Sequence, residues 1–401
     1  VSGLRAQRLA ARRAERRRAV RRGAMVVVAS VVVAAGSVAG VLSAFDDRRG
    51  PERAERPVVS ASPRLAPLPA LPSASPSVSG PASPTPVASA PATPGPTPSP
   101  SRAREKRERT APVTARLYRH PDSQVLDWVR AHAGDPRQAV IASRIADQSA
   151  AVWFADYAPD TLTARVAAVT SGGAALGRVP VLVPYAIPGR DCGGHSQGGA
   201  PDLDAYDAWI DRFAAGLGSG EVIVVLEPDS VAQAECLSPG ERADRFASLA
   251  RAGRVLKAAD PRARVYFDAG HSGWNAPGEQ AAWLRQAGAA SPASSDGIFS
   301  NVSNFHTTAD EIAYDRRVLD ALGGPAGLGA VIDTSRNGNG APPDGTWCDP
   351  AGRKLGRTPT LSTGEDRIDA FLWVKLPGES DGCKGRPGTF TASYAYDLAS
   401  S

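Results

Sequence analysis

Two carboxylates close an apolar run in Glu221-Val-Ile-Val-Val-Leu-Glu-Pro-Asp-Ser230. Val222–Leu226 shows no polar alternation, the mark of a strand buried on both faces of a parallel sheet. Proline cannot donate to a ladder, so the strand is expected to stop at Glu227-Pro228-Asp229. Other apolar runs end in the same style. Val179–Tyr185 leads into Tyr185-Ala-Ile-Pro-Gly-Arg-Asp-Cys192, Arg264–Asp268 into Asp268-Ala-Gly-His-Ser-Gly-Trp274, and Gly297–Val302 into Asn301-Val-Ser-Asn-Phe-His306. Leu328–Asp333 leads into Asp333-Thr-Ser-Arg-Asn-Gly-Asn-Gly340, and Phe371–Lys375 into Lys375-Leu-Pro-Gly-Glu-Ser-Asp381. One carboxylate at a strand end is background, whereas several from different strands, mixed with Trp, Asn, Arg and Lys, make a site. No nucleophilic Ser or Cys stands out, so the chemistry indicated is acid/base work on a carbohydrate. Paired carboxyls serve an oxocarbenium-like transition state, and Trp faces stack on sugar rings. Gly338-Asn-Gly340 lacks the Lys-Ser/Thr of a phosphate-binding loop, and His271-Ser272 has no G-x-S-x-G elbow.

The elements that must position these residues alternate. With Ala151–Ala155, seven strand-like runs are separated by helical patterns. In Asp202–Leu217, Leu203, Tyr206, Ile210, Phe213 and Leu217 follow the 3.6-residue period. Ser238-Pro-Gly-Glu241 reads as a capping box with Pro at the first helical position, and Thr308-Ala-Asp-Glu311 as a similar helix start. This alternation predicts the α/β class: a distorted, incomplete, seven-stranded parallel β/α barrel related to the TIM barrel. In such a barrel all these strand ends gather on one face.

Charge separates the domain from what precedes it. Residues 1–56 carry a net +8, residues 57–111 a net +4 and residues 112–401 a net −7, within the chain's +5. The high pI therefore belongs to the N-terminal segments, which excludes nucleic acid as a partner of the domain. Residues 1–23 form a basic n-region with an Arg-rich run, expected on the cytoplasmic side. Residues 24–45 are uncharged and apolar, near the ~20 residues that span a bilayer and longer than an ordinary signal-peptide core. They predict export, with cleavage near Ser37/Ala39 or Leu42/Ala44 or retention as a membrane anchor both open. Residues 46–111 are a Pro/Ser/Ala/Thr-rich linker unable to bury a core, so the protein is expected outside the cell or tethered to the outer face of its membrane. Residues 112–401 hold all seven Trp, all eight Tyr and all four Cys. Four Cys in an exported protein point to two disulfides. None has metal-site spacing, and neither metal nor cofactor is expected.

Val183-Pro-Tyr-Ala-Ile-Pro-Gly-Arg-Asp-Cys192 and Val224-Val-Leu-Glu-Pro-Asp-Ser230 resemble the two signature motifs of glycoside hydrolase family 6, the inverting β-1,4-glucanases called cellulases. Tyr266-Phe-Asp-Ala-Gly-His271, Val331-Ile-Asp-Thr-Ser-Arg-Asn-Gly-Asn-Gly340, Trp347-Cys-Asp-Pro350 and Phe371-Leu-Trp-Val-Lys-Leu-Pro-Gly-Glu-Ser-Asp-Gly382 support the match, which runs in order from about Arg119 to Ser401. The resemblance implies Asp229 as general acid, with its pKa raised by Asp191, and Tyr185 beside the distorted sugar. It implies Asp381 as base, with Asp191 serving indirectly as the alternative. Lys375 and Glu379 resemble hydroxyl contacts, and Trp153, Trp274 and Trp347 stacking platforms. His271, Asn304 and Asp268 bind sugar or support the site, Asp333 looks structural, and Arg190 orients Asp191 or nearby backbone. Glu227 is expected as a buried structural partner. The family pairing joins Cys192 to Cys236 and Cys348 to Cys383. Ser196-Gln197 departs from the two small residues usual after the position of Asp191.

Chain-end cutters in the family enclose the site with two long loops. The segment after Asp191 is short here, and 20 residues follow Asp381. An open cleft and internal cutting of β-1,4-glucan by a monomer are expected. The alternatives are an exo-acting cellobiohydrolase of the same family and a non-catalytic glucan-binding protein, though the latter needs a damaged acid or base.

Overall fold

The structure, a computed structural model, describes residues 116–400, so the basic run, the apolar segment and the linker lie outside the described residues. β1 (Arg116–Leu117) is followed by α1 (Gln124–Ala131) and α2 (Gln138–Ile141), which continues into a π turn. The alternating series comes next: β2 (Val152–Phe154), α3 (Pro159–Ala175), β3 (Arg178–Val179), β4 (Val181–Pro184), α4 (Leu203–Ala214), β5 (Val222–Leu226) and α5 (Pro239–Ala259). It continues through β6 (Ala263–Asp268), α6 (Pro277–Gln286), β7 (Gly297–Ser300), α7 (Thr308–Leu322), β8 (Gly329–Asp333), β9 (Ile368–Leu372) and α8 (Ala392–Ser400).

Seven parallel strands in the order β2-β4-β5-β6-β7-β8-β9 form one curled sheet, an incomplete barrel. The two edges are tied across the seam where Ala151 N–H donates to Trp373 O (2.9 Å) and Trp153 Nε1 to Val374 O (2.7 Å).

The two-sided burial of β5 follows from the pleat. Val222, Val224 and Leu226 face the helices, in a core with Trp209, Phe213, Phe246, Leu249 and Ile298. Ile223 and Val225 face the barrel interior with Val183, Tyr266, Phe299 and Val331. Each such side chain contributes about 1.5–3 kcal/mol on burial, so polar alternation in this strand would be costly on either face. Elsewhere the helices close with caps. Asp202 caps α4 by accepting the Ala205 N–H, and Ser238 and Glu241 form the reciprocal capping box of α5.

Three boundaries differ from expectation. Val179–Tyr185 is two strands, because Pro180 has no N–H to donate: β3 pairs with β1, and β4 pairs with β2 and β5. The last strand is Ile368–Leu372 rather than Phe371–Lys375. A register irregularity at Ala330/Val331 sets its pairing with β8, and Trp373–Lys375 leave the ladder while staying buried. Helix α7 is capped by Thr307, not Thr308: the Thr307 side chain accepts the Asp310 N–H, and Glu311 turns inward.

Candidate active site

The loops at the carboxyl ends of the strands line a cleft of about 1490 Å³ that includes Trp153, Tyr185, Asp191, Asp229, His271, Trp274, Asn304, Trp347, Lys375, Glu379 and Asp381. These eleven residues, read from the sequence as catalytic or sugar-binding, share this one cavity, whereas Asp268 does not line it.

The turn after β5 aims Asp229. Glu227 (φ 50°) and Asp229 (φ 69°) both adopt left-handed backbone, a strained choice for residues with a Cβ. Two buried carboxylates hold the turn. Glu227 accepts the N–H of Ala186 (2.9 Å) and Ile187 (3.0 Å), tying the end of β5 to that of β4. Asp268, at the end of β6, accepts the N–H of Val231 (3.0 Å), Ala232 (2.8 Å) and Gly270 (2.9 Å). Burial pushes Glu227 up to about 7 despite these donors. Asp268 is 2 % exposed, so it supports the turn and offers no surface to a sugar. Asp229 itself is half-buried at the cleft wall. Burial, then the charges of Asp268 and Asp191, push its carboxyl well above the ordinary aspartate value.

Asp191 sits on the loop after β4, also left-handed (φ 59°), and accepts the Ser196 N–H at 2.6 Å. Gly194 is required beneath it, since a Cβ there would lie 2.6 Å from Asp191 Oδ2. Arg190 orients backbone rather than Asp191: it donates to Ala155 O (2.7 Å), Ser196 O (2.8 Å) and Tyr185 O. Its guanidinium lies 4.4 Å from the Tyr185 ring centroid, and the Trp153 ring meets the same tyrosine edge-on at 5.3 Å. Burial, followed by the charge of Asp229, raises the Tyr185 hydroxyl far beyond the usual range, so it is a neutral donor. Gln197 is exposed on this loop, and its N–H donates to Gly194 O.

Asp381 sits across the sheet seam, held from several sides. Arg336 Nη1 lies 2.8 Å and Lys375 Nζ 3.5 Å from its oxygens. The Asp349 N–H also donates to it (3.1 Å). Asp349 in turn accepts the Asp381 N–H (2.7 Å), the Cys383 and Lys384 N–H groups, and Ser380 Oγ at 2.6 Å. Against the upward push of burial, these donors hold Asp349 below its ordinary pKa. Arg336 is fully buried, with its guanidinium 4.4 Å from the Phe305 ring centroid. Asp333 accepts the Ser303, Ser335 and Lys375 N–H groups, a structural assignment.

Sugar-binding candidates occupy both ends of the cleft. His271 stacks on His306 at 4.3 Å and lies 5.2 Å from Trp274. Burial, then His306, lowers its pKa to about 3, so it is neutral. Asn304 Nδ2 donates to Val302 O within its own loop. Trp347 is 53 % exposed, a ring with no core to fill. At the other end, burial outweighs Lys375 and Arg336 and pushes Glu379 up to about 7, and Gln124 Nε2 reaches its Oε1 at 3.3 Å.

Cys192 is bridged to Cys236 and Cys348 to Cys383, closing segments of 44 and 35 residues. Each cross-link is worth roughly 2–4 kcal/mol by loop closure, and each pins a loop that bears a cleft carboxylate. The two loops meet where His195 packs on Gly382, at which a Cβ would sit 2.9 Å from the imidazole.

Sequence reasoning missed Arg336, Asp349 and Gln124. Arg336 and Asp349 lie inside stretches that had drawn notice, but nothing local marks either as a partner of Asp381. Gln124, on an amphipathic helix more than 250 residues from Glu379, gave no signal.

The chain is similar to proteins that are already known. The model of the family "Glycosyl hydrolases family 6" matches residues 112–397. Endoglucanase 1 of Streptomyces sp. (strain KSM-9) is 52 % identical over 291 residues, which cover 72 % of this chain and 79 % of that one. Endoglucanase A of Thermobispora bispora is 50 % identical over 284 residues, 71 % of this chain and 61 % of the relative. The solved endoglucanase Cel6 from Mycobacterium tuberculosis, in complex with methyl-cellobiosyl-4-deoxy-4-thio-β-D-cellobioside, is 39 % identical, superposes with a TM-score of 0.66, and is covered over 97 % of its length by 72 % of this chain. The chain belongs to glycosyl hydrolases family 6 and is a glycoside hydrolase.

Proposed function

We propose that this enzyme cuts internal β-1,4-glucosidic bonds of cellulose or a related glucan with inversion, using Asp229 as general acid and Asp381 as base. The observation that carries the reading is the opposite treatment of these two carboxyls on one cleft. Among the described residues no cation is paired with Asp229, and burial and two acidic neighbours push it towards its neutral form. Asp381 is ion-paired with Arg336 and Lys375. Environments that separate two carboxyls in this way assign acid and base.

In the proposed step Asp229 gives its proton to the glycosidic oxygen as the bond to the anomeric carbon breaks. A water attacks from the opposite face and loses its proton to Asp381, directly or through a further water. The new reducing end is therefore released as the α-anomer. Asp191 favours the protonated form of Asp229 beforehand. Tyr185 and Trp153 pack against each other beside the reacting sugar, and Trp274 and Trp347 supply stacking faces farther along. The endo reading is supported by the short connections from Asp191 to α4 at Leu203 and from Asp381 to α8 at Ala392, and by relatives named endoglucanases. Export is supported by the pairing of all four cysteines, which needs an oxidising compartment, and by the Arg-flanked apolar segment with its linker. The protein is proposed to act as a monomer on the polysaccharide outside the cell.

The test is carboxymethyl cellulose, followed by viscosity and reducing ends, with proton NMR of the first-formed product from cello-oligomers. An endo-acting, inverting enzyme lowers viscosity well before reducing ends accumulate and releases the α-anomer. Reducing ends without loss of viscosity would sink the endo assignment, and a β-anomer would sink inversion.

A further inference from the structure

Helix α7 carries two carboxyls one turn apart, Glu311 and Asp315, and both are fully buried. Burial of two acids on one helix face is expensive unless each oxygen finds a donor. Only half of them do. Glu311 Oε1 accepts the Ser272 N–H at 2.8 Å, and Asp315 Oδ2 accepts Ser300 Oγ at 3.0 Å. Among the described residues Glu311 Oε2 and Asp315 Oδ1 have no hydrogen-bond partner. The other charged group on the helix that bears on Glu311 is the acidic Asp310. From β7 the pair faces the Ser300 hydroxyl, and from the loop after β6 it faces Ser272. The His271–His306 stack adjoining that loop is uncharged at neutral pH, since burial lowers both rings. A proton on one of the two carboxyls would supply a donor that the other lacks. Burial pushes both above their ordinary values, Glu311 to about 7, and the charge of Glu311 adds to the rise of Asp315.

The pair holds something the cleft uses. Ser272 lies between His271 and Trp274, the groups at one end of the cavity. Beside it Tyr314, also on α7, donates its hydroxyl to Ala269 O at 3.0 Å, so α7 clamps this loop at two points. The same loop begins at Asp268, which carries the turn of Asp229.

We propose that Glu311 is a positioning residue for the saccharide platform formed by His271 and Trp274, working with Asp315 as one proton-sharing pair. This rests on the reading of Trp274 as a sugar-stacking face. When both carboxyls are charged they repel each other and loosen the clamp, so platform binding weakens at alkaline pH.

The test measures the Kd of a thio-linked cello-oligosaccharide, by tryptophan fluorescence at pH 6 and pH 9, for wild type, Glu311→Gln, Glu311→Ala and Trp274→Ala. Glu311→Gln keeps an acceptor for Ser272 and brings its own donor for Asp315. It should match wild type at pH 6 and bind more tightly than wild type at pH 9. Glu311→Ala should bind roughly fivefold more weakly at both values, the scale of one stacking contact. Glu311→Ala binding like wild type while Trp274→Ala is weakened overturns the positioning role. Wild type and Glu311→Gln weakening in parallel from pH 6 to pH 9 overturns the shared proton, and this comparison stands even if Glu311→Ala does not fold. Trp274→Ala binding like wild type would instead refute the platform reading.

Discussion

Replacing Asp349 by Asn should cost both stability and turnover, although Asp349 is not assigned a chemical step. One of its oxygens accepts the Asp381 N–H at 2.7 Å. The other collects Ser380 Oγ (2.6 Å) and the N–H groups of Cys383 (2.9 Å) and Lys384 (2.8 Å). The amide has a single acceptor oxygen. Its best placement keeps the three donors and turns an NH2 towards the Asp381 N–H, leaving that buried donor unsatisfied at a cost of about 1–3 kcal/mol. The three remaining bonds lose their charge assistance, about half their strength, roughly 0.5 kcal/mol each. Together these come to about 3 kcal/mol. At about 2–4 °C per kcal/mol for a domain of this size, the Tm should fall by roughly 10 °C. Because Asp381 loses a bond that fixes its backbone, kcat on carboxymethyl cellulose should fall at least roughly tenfold. The sign of the pH effect follows from the depressed pKa of Asp349. Its contribution is present above the unfolded aspartate value and is lost as pH falls through the folded one, so the Tm gap between wild type and variant should narrow in acid. Calorimetry and steady-state kinetics on the same preparation check both arms. A variant with unchanged Tm and kcat within twofold of wild type would show that Asp349 does not hold the base.

Removing the charge of Asp191 in Asp191→Asn should lower the pKa of Asp229, so the alkaline limb of kcat/KM moves to lower pH; an unmoved limb would deny the coupling. Glu227 is raised from an ordinary 4.5 to about 7, so its stabilising contribution is full below pH 4.5 and is lost as pH rises through 7. Glu227→Gln should flatten the Tm profile over that window, while Glu227→Ala, which orphans the Ala186 and Ile187 N–H groups, should cost about 2–4 kcal/mol in urea unfolding. Trp347→Ala removes a ring that is half exposed, so Tm should hold within about 1 °C while KM for long oligomers rises roughly fivefold; a large Tm loss would mark it as a packing residue instead.

Much of this architecture was legible because parallel strands buried on two sides announce themselves. Val222–Leu226 is apolar throughout since its alternate residues meet the helices and the barrel interior in turn. The breaks after such strands are where side chains are freed for chemistry, so the turns bearing Asp191, Asp229 and Asp381 could be found together. What stayed hidden depends on contacts distant in sequence. Trp373–Lys375 read as strand because they are apolar and buried, yet their role is to close the seam, where Trp373 O takes the Ala151 N–H. Thr307 and Thr308 offer the same local capping chemistry, and the choice between them follows from Glu311 being drawn inward to Ser272. Arg336 stands in a strand-end stretch that the sequence picks out, but only the fold reveals its contact with Asp381.

Whether Asp229 supplies the proton to the leaving group is decided by leaving-group dependence in Asp229→Asn. A glucan leaving group needs that proton, whereas 2,4-dinitrophenolate departs without one. The variant should lose roughly 10²–10⁴-fold on cello-oligomers, the range of general acid catalysis, while hydrolysis of 2,4-dinitrophenyl β-cellobioside stays within about tenfold of wild type. Equal losses on both substrates, or full activity on cello-oligomers, would contradict it.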